Sequence, residues 1–164
     1  MKKILLLFIL ISSISFGQKK LDKLLNKFNK NNVPYISVDT LASTKAVLLD
    51  AREEKEYKVS HLKNAILVGY DDFKLNETLE KLPKDKNAKI VVYCSLGIRS
   101  EIVADKLIKE GYTNVFNLYG GIFEWKNNDY QVIDTLGSNT EKVHTFNKDW
   151  SKWLKKGKKI YEKN

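Results

Sequence analysis

Short apolar runs alternate with stretches of helical spacing through the middle of the chain. Pro34 to Val38, Val47 to Asp50, Ala65 to Val68, Ile90 to Tyr93 and Val115 to Leu118 have the length and β-branched or aromatic character of strands. Between them, Asp39-Thr40 caps a short helical turn, Glu53 to Lys58 reads as a short helix, and Asp71 to Leu82 as a helix broken by Pro83. Ile98 to Glu110 places Ile98, Ile102, Val103, Leu107 and Ile108 on one face and ends at Gly111. Ile122 to Asn127 follows a Gly120-Gly121 turn. Strands alternating with helices predict an α/β domain with a central, mostly parallel five-stranded sheet and helices on both faces. Ligands bind such sheets at the carboxyl ends of the strands. Cys94 falls there.

The two ends of the chain break this pattern. Met1-Lys2-Lys3, the apolar run Ile4 to Ile14, and Ser15-Phe16-Gly17 have the layout of a secretory signal peptide over residues 1–17, cut before Gln18. The run is too short to span a bilayer comfortably, and no cysteine follows it to carry a lipid. The expectation is an exported, most simply periplasmic, protein. Residues 18–32 carry Lys19, Lys20, Lys23, Lys27 and Lys30, with Leu21, Leu24, Leu25 and Phe28 at helical spacing, and read as an N-terminal amphipathic helix packed on the core. The domain proper is expected over residues 33–136. Residues 137–164 form a basic, Trp-containing tail with Phe146, Trp150, Trp153, Leu154 and Ile160 among its lysines, and predict a helix laid on the domain with lysines outward.

Charge adds to the picture only once it is located. The net charge of +9 belongs to the ends, because residues 32–136 carry two arginines and twelve lysines against sixteen carboxylates. Nucleic acid, the usual partner of so basic a chain, is not expected for an exported protein. Weak contact of the basic ends with an anionic membrane surface stays open.

Cys94 is the only cysteine, which excludes an intramolecular disulfide, a paired-cysteine redox motif and a structural zinc site of the usual cysteine type. Either it is a small buried residue at a strand end, or it is chemically employed. A thiol between a strand and a helix N-terminus faces unpaired amides and the positive end of the helix dipole, which lower its pKa. Gly97 permits a tight turn, so that the stretch Ser95, Leu96, Gly97, Ile98, Arg99 and Ser100 can aim backbone N–H groups inward as an anion cradle. Arg99 can bind an anionic substrate or tie the loop back to the sheet, and the sequence leaves both open.

The pattern Cys94-x-x-Gly97-x-Arg99-Ser100 on a strand–loop–helix unit resembles the active-site loop of a single-domain rhodanese. Asp50-Ala51-Arg52, Glu56-Tyr57 and His61-Leu62-Lys63-Asn64-Ala65 resemble that family's upstream signature, and Val115 to Ile122 with Trp125 its last strand and Gly-Gly helix start. A glycine usual before the histidine is Ser60 here. The resemblance implies a three-layer rhodanese-like domain and sulfur transfer through a persulfide on Cys94, with no metal and no organic cofactor. The implied partners are a small sulfane donor, such as thiosulfate, and a thiol, protein or cyanide acceptor. Asp50 and Arg52 are then supporting residues, Arg52 pairing with Glu53 or Glu56. His61 is expected to be structural, and His144 a solvated residue of the tail. Two other readings remain. One is a persulfide carrier or interaction module without turnover. The other is a cysteine-dependent phosphatase or arsenate reductase, whose loops space cysteine and arginine by five residues, where this chain has four. Leu96 and Ile98 leave the rim poor in positive charge, so thiosulfate as the true donor is an open point.

Overall fold

The computed structural model describes residues 19–161. The expected signal peptide lies outside the described residues. The chain divides into two units between Asn31 and Asn32. In the first, residues 19–28 form helix α1, with Leu21 and Leu25 buried and Lys19, Lys20, Lys23 and Lys27 exposed.

In the second unit, a five-stranded parallel sheet has the order β1-β5-β4-β2-β3. Its strands are β1 (Tyr35–Ile36), β2 (Val47–Asp50), β3 (Ile66–Leu67), β4 (Ile90–Tyr93) and β5 (Val115–Leu118). The helices between them are α2 (Val38–Ala42), α3 (Glu54–Val59), α4 (Leu75–Glu80) and α5 (Arg99–Lys109), and α6 (Gly121–Asn127) follows β5. β4 is central and every residue in it is buried, as expected of a strand covered on both faces.

Side chains alternate across a strand, and this sorts the core. On one face Leu49, Ile90, Val92 and Val115 pack with Val103, Ala104 and Leu107 of α5, with Leu75 and Leu79 of α4 against them. Full burial of a Val, Leu or Ile side chain among these contributes about 1.5–3 kcal/mol. Asp50 and Tyr93 point to the opposite face, where Arg52 Nη2 donates at 2.7 Å to the carbonyl of Ser60, the C-cap of α3.

The expected strands are all present, though the edge elements are shorter. The first strand stops at Ile36, because Ser37, not Asp39-Thr40, caps α2, its side chain accepting from Thr40 N at 3.2 Å. Helix α4 covers Leu75–Glu80 rather than Asp71 to Leu82. Ser60 is extended at φ −172°, a conformation open to any residue, so the backbone there does not require the missing glycine.

The tail departs most from expectation. Short strands β6 (Val132–Ile133) and β7 (Asn139–Thr140) pair antiparallel, and β8 (Lys142–His144) pairs parallel with β9 (Lys158–Ile160). The Trp150–Trp153 segment is a 3₁₀ helix between β8 and β9, with Leu154 fully buried and Lys152, Lys155 and Lys156 exposed. The tail is tied to α6 through Asn127, whose Nδ2 donates to Trp153 O at 3.1 Å and whose Oδ1 accepts from Lys155 N at 2.7 Å. His144 is buried and not solvated, because β8 lies inside this tail fold and its Nδ1 accepts from Phe146 N at 3.1 Å.

Candidate active site

Cys94 follows β4 at its carboxyl end, and α5 begins at Arg99. Gly97 has φ +109°, a conformation side chains rarely adopt, and this folds its amide back onto the sulfur, N to Sγ 3.1 Å. Ser100 Oγ lies 3.4 Å from Sγ. The outward carbonyls of the same loop are taken up by α6: Ile122 N donates to Cys94 O at 2.9 Å and Phe123 N to Ser95 O at 3.2 Å. These are amides from the first turn of α6, which have no partner within their own helix, and Gly120 supplies no side-chain cap. Holding these carbonyls outward leaves the Gly97 amide turned to the sulfur. The contact requires Gly121, since a Cβ there would stand 2.3 Å from Cys94 O, and its φ is +55°.

Two further residues brace the loop, and neither was singled out for the site from sequence. Asn117, fully buried in β5, donates from Nδ2 to Gly97 O at 2.8 Å and accepts at Oδ1 from Ser100 Oγ at 2.8 Å. The hydroxyl has one proton, so it can serve Asn117 or the sulfur. The available signal was an amide inside the apolar run Val115-Phe116-Asn117-Leu118. The second is Glu56. Arg99 forms a two-pronged pair with it, Nη1 to Oε2 at 2.6 Å and Nη2 to Oε1 at 2.8 Å, while Nη2 also donates to Ser95 Oγ at 3.1 Å. Ser95 Oγ in turn donates to Glu56 Oε1 at 3.2 Å. Glu56 is itself fixed by a capping box, its Oε2 accepting from Glu53 N at 3.0 Å. Arg99 thus ties the loop to α3, with its fork occupied by a carboxylate.

Arg52 does not pair with Glu53 or Glu56 as expected. It pairs with Asp50, Nε to Oδ1 at 3.0 Å and Nη2 to Oδ2 at 2.7 Å, because Asp50 ends β2 and Arg52, two residues on, is buried on the same side. Tyr93 Oη completes the group, donating to Asp50 Oδ2 at 2.6 Å and accepting from Leu62 N at 3.1 Å. This network braces the sheet end beneath the loop. His61 is buried, its ring stacked on Tyr57 at 3.8 Å and its Nδ1 3.1 Å from Tyr57 O.

The electrostatics follow from this geometry. Burial pushes the Cys94 thiol up, but the Arg99 charge and the hydrogen bonds from Ser100 and Gly97 outweigh it, and the thiol ionises below its ordinary range. Burial likewise pushes Glu56 up, and the bonds and charge of Arg99, with the charge of Arg52, bring it below the usual carboxylate range. Among the described residues no group of three or more His, Cys, Asp or Glu could hold a metal ion.

A pocket of about 180 Å³ opens over the sulfur, lined by Cys94, Ser95, Leu96, Ile98 and Arg99 together with Phe146 and Trp150 of the tail. All six expected loop residues, Ser95 to Ser100, are thus gathered around Cys94 or within its bonding network, while Asp50 and Arg52 stand beneath it.

A parallel α/β domain with one ionisable thiol in an amide-lined loop defines a class of cysteine-dependent group-transfer domains. The rhodanese-like domain profile matches residues 19–128, and the chain belongs to that family. A tRNA uridine(34) hydroxylase of Hamiltonella defensa is 42% identical over 82 residues, 49% of this chain and 23% of the relative. An adenylyltransferase and sulfurtransferase of Candida albicans is 35% identical over 113 residues, 66% of this chain and 26% of the relative. The chain thus spans about a quarter of the length of these relatives. A rhodanese-related protein of Thermoplasma volcanium superposes with a TM-score of 0.54 at 27% identity, covering 61% of this chain and 97% of that one. A thiosulfate sulfurtransferase of Pseudomonas aeruginosa shares the fold, with a TM-score of 0.57 at 21% identity, over 84% of this chain and 26% of that one. Membership of this family supports a sulfur-transfer role.

Proposed function

We propose that the chain is a sulfurtransferase that carries sulfane sulfur on Cys94. The observation that carries this reading is the Cys94 sulfur itself, buried at the strand end with Gly97 N at 3.1 Å and Ser100 Oγ at 3.4 Å. The thiolate attacks the outer sulfur of a sulfane donor. With thiosulfate, a sulfur–sulfur bond forms to Cys94, the donor's own sulfur–sulfur bond breaks, and sulfite leaves with the electron pair. The persulfide's terminal sulfur then carries the negative charge, which inward amides and the α5 N-terminus stabilise. A thiol or cyanide attacks that sulfur and restores the thiolate.

A phosphatase reading draws no support from Arg99, whose guanidinium is already held by Glu56 and is not free to clasp a tetrahedral oxyanion. The tRNA chemistry named for the Hamiltonella relative belongs to a protein this chain matches over 23% of its length. We read residues 1–17 as an export signal, and a mature chain starting at Gln18, found in the periplasm of an expressing bacterium, is the expected outcome.

The test is intact mass after exposure to thiosulfate and to an organic thiosulfonate, with Cys94→Ala alongside. The expected result is a gain of one sulfur that needs Cys94 and that cyanide removes as thiocyanate. Loading without release to any acceptor points to a carrier. No loading from any sulfane donor refutes the reading.

A further inference from the structure

The lining of the pocket above Cys94 is made from two separate parts of the chain. Leu96 and Ile98 come from the loop, whereas Phe146 and Trp150 lie beyond the segment matched by the family profile, residues 19–128. Their position is built into the fold. Thr145 is fully buried, and its amide donates to Ile160 O at 2.7 Å, extending the β8–β9 ribbon. Phe146 then turns through φ +63°, a conformation uncommon for a bulky residue and sustained only where surrounding bonds hold it. Those bonds are Phe146 N to His144 Nδ1 at 3.1 Å, Asn147 N to Thr145 O at 2.7 Å and Trp150 N to Asn147 Oδ1 at 3.0 Å. The outcome is a Phe146 ring 5.8 Å from the Arg99 guanidinium, 51% exposed, at the mouth of the pocket.

The charge of the site points the same way. Arg99 is the one cation among the lining residues, and both prongs of its guanidinium are taken by the Glu56 carboxylate at 2.6 and 2.8 Å. A small, strongly hydrated dianion such as thiosulfate meets four apolar side chains and no free cation among those residues. A cavity of about 150 Å³ lined by apolar side chains takes up a benzene ring, and this one measures about 180 Å³.

Resting on the sulfurtransferase reading, we propose that Phe146 and Trp150 form a substrate-selecting aromatic wall, and that the donor is an organic sulfane bearing a small apolar or aromatic group. For a thiosulfonate donor R–SO₂–S⁻, the Cys94 thiolate bonds to the outer sulfur, and the bond from that sulfur to the sulfonyl group breaks. The electron pair leaves with the sulfinate R–SO₂⁻, and no oxidant, reductant or proton is consumed. The R group lies against the wall while the transferred sulfur sits in the amide cradle.

The experiment compares kcat/KM for benzenethiosulfonate and methanethiosulfonate, which share the reacting group and differ in the apolar part. The full chain is assayed as wild type, Phe146→Ala, Trp150→Ala, Trp150→Leu and the distant Leu136→Ala. Comparing each variant's ratio with that of the wild type cancels the intrinsic reactivity of the donors. The wild type favours the aryl donor, and each wall variant lowers the aryl-to-methyl ratio by about tenfold, as loss of one ring contact implies. Leu136→Ala, whose side chain is 88% exposed away from the pocket lining, keeps the wild-type ratio. Trp150→Leu guards against unravelling of the tail by the alanine, and circular dichroism confirms folding of each variant. An unchanged ratio in folded Phe146 and Trp150 variants, with sulfur still loading on Cys94, overturns the wall and leaves sulfur transfer standing. Absence of loading from every donor in the wild type overturns the sulfurtransferase reading and the wall with it.

Discussion

Replacing Glu56 by glutamine tests whether the loop is held by charge. Glu56 has no exposed side-chain surface and takes both prongs of Arg99, whose side chain is 18% exposed. The amide of Glu56→Gln keeps the shape and part of the hydrogen bonding but leaves the guanidinium without a counter-charge. Breaking a buried pair by removing one partner costs about 3–5 kcal/mol. The lower end applies here, because Arg99 can turn partly toward water. A loss of about 3 kcal/mol lowers the urea midpoint by roughly 1.5 M at a slope of about 2 kcal/mol/M. The pH dependence adds a second signature. Glu56 ionises below its ordinary range in the folded chain, so its stabilisation is fully present above the unfolded pKa of about 4.3. It is lost as pH falls through the lower folded value. The gap between wild type and Glu56→Gln should therefore be full at pH 7 and close as urea unfolding is repeated below about pH 4. A midpoint within about 0.3 M of wild type at pH 7, or a gap that ignores acid, refutes the idea that this ion pair anchors the loop.

Three other outcomes follow from the same geometry. Gly121→Ala sets a Cβ 2.3 Å from Cys94 O and 2.7 Å from Ser95 O; thermal unfolding should show a loss of about 2 kcal/mol, with slower sulfur loading. Ser100→Ala removes a hydrogen bond that holds the thiol below its ordinary range, so the pH profile of Cys94 alkylation by iodoacetamide should move to higher pH. Tyr93→Phe deletes the bonds to Asp50 and Leu62, costing about 1–3 kcal/mol in urea unfolding, while the alkylation profile of Cys94 stays where it was.

What the sequence made legible tracks how local each signal is. β4 has the expected bounds because a strand buried on both faces is a continuous apolar run, and β2 and β5 also begin and end where their apolar residues predict. The anchoring of the loop was not legible, because Glu56 lies 43 residues from Arg99 and Asn117 lies 20 from Gly97. Glu56 was read as part of the upstream signature and as a candidate partner for Arg52, and nothing local joined it to Arg99. Arg52 was assigned to the wrong acid for the same reason: charge complementarity cannot choose among Asp50 at the end of β2, Glu53 at the cap of α3 and Glu56 within α3 without knowing which way each side chain points. The tail misled differently. Lys142–His144 and Lys158–Ile160 are strands of three residues, too short for periodicity to register, and the lysines among the aromatics imitate an amphipathic helix.

The sulfur cradle is closed entirely by residues between Glu56 and Phe123, whereas Phe146 and Trp150 reach it on a ribbon of their own. Such a division makes the domain modular in an evolutionary sense. Substitutions between β8 and β9 can retune what approaches the sulfur while the bonds that hold it stay untouched. Two chains with the same cysteine loop can therefore diverge in diet without diverging in chemistry.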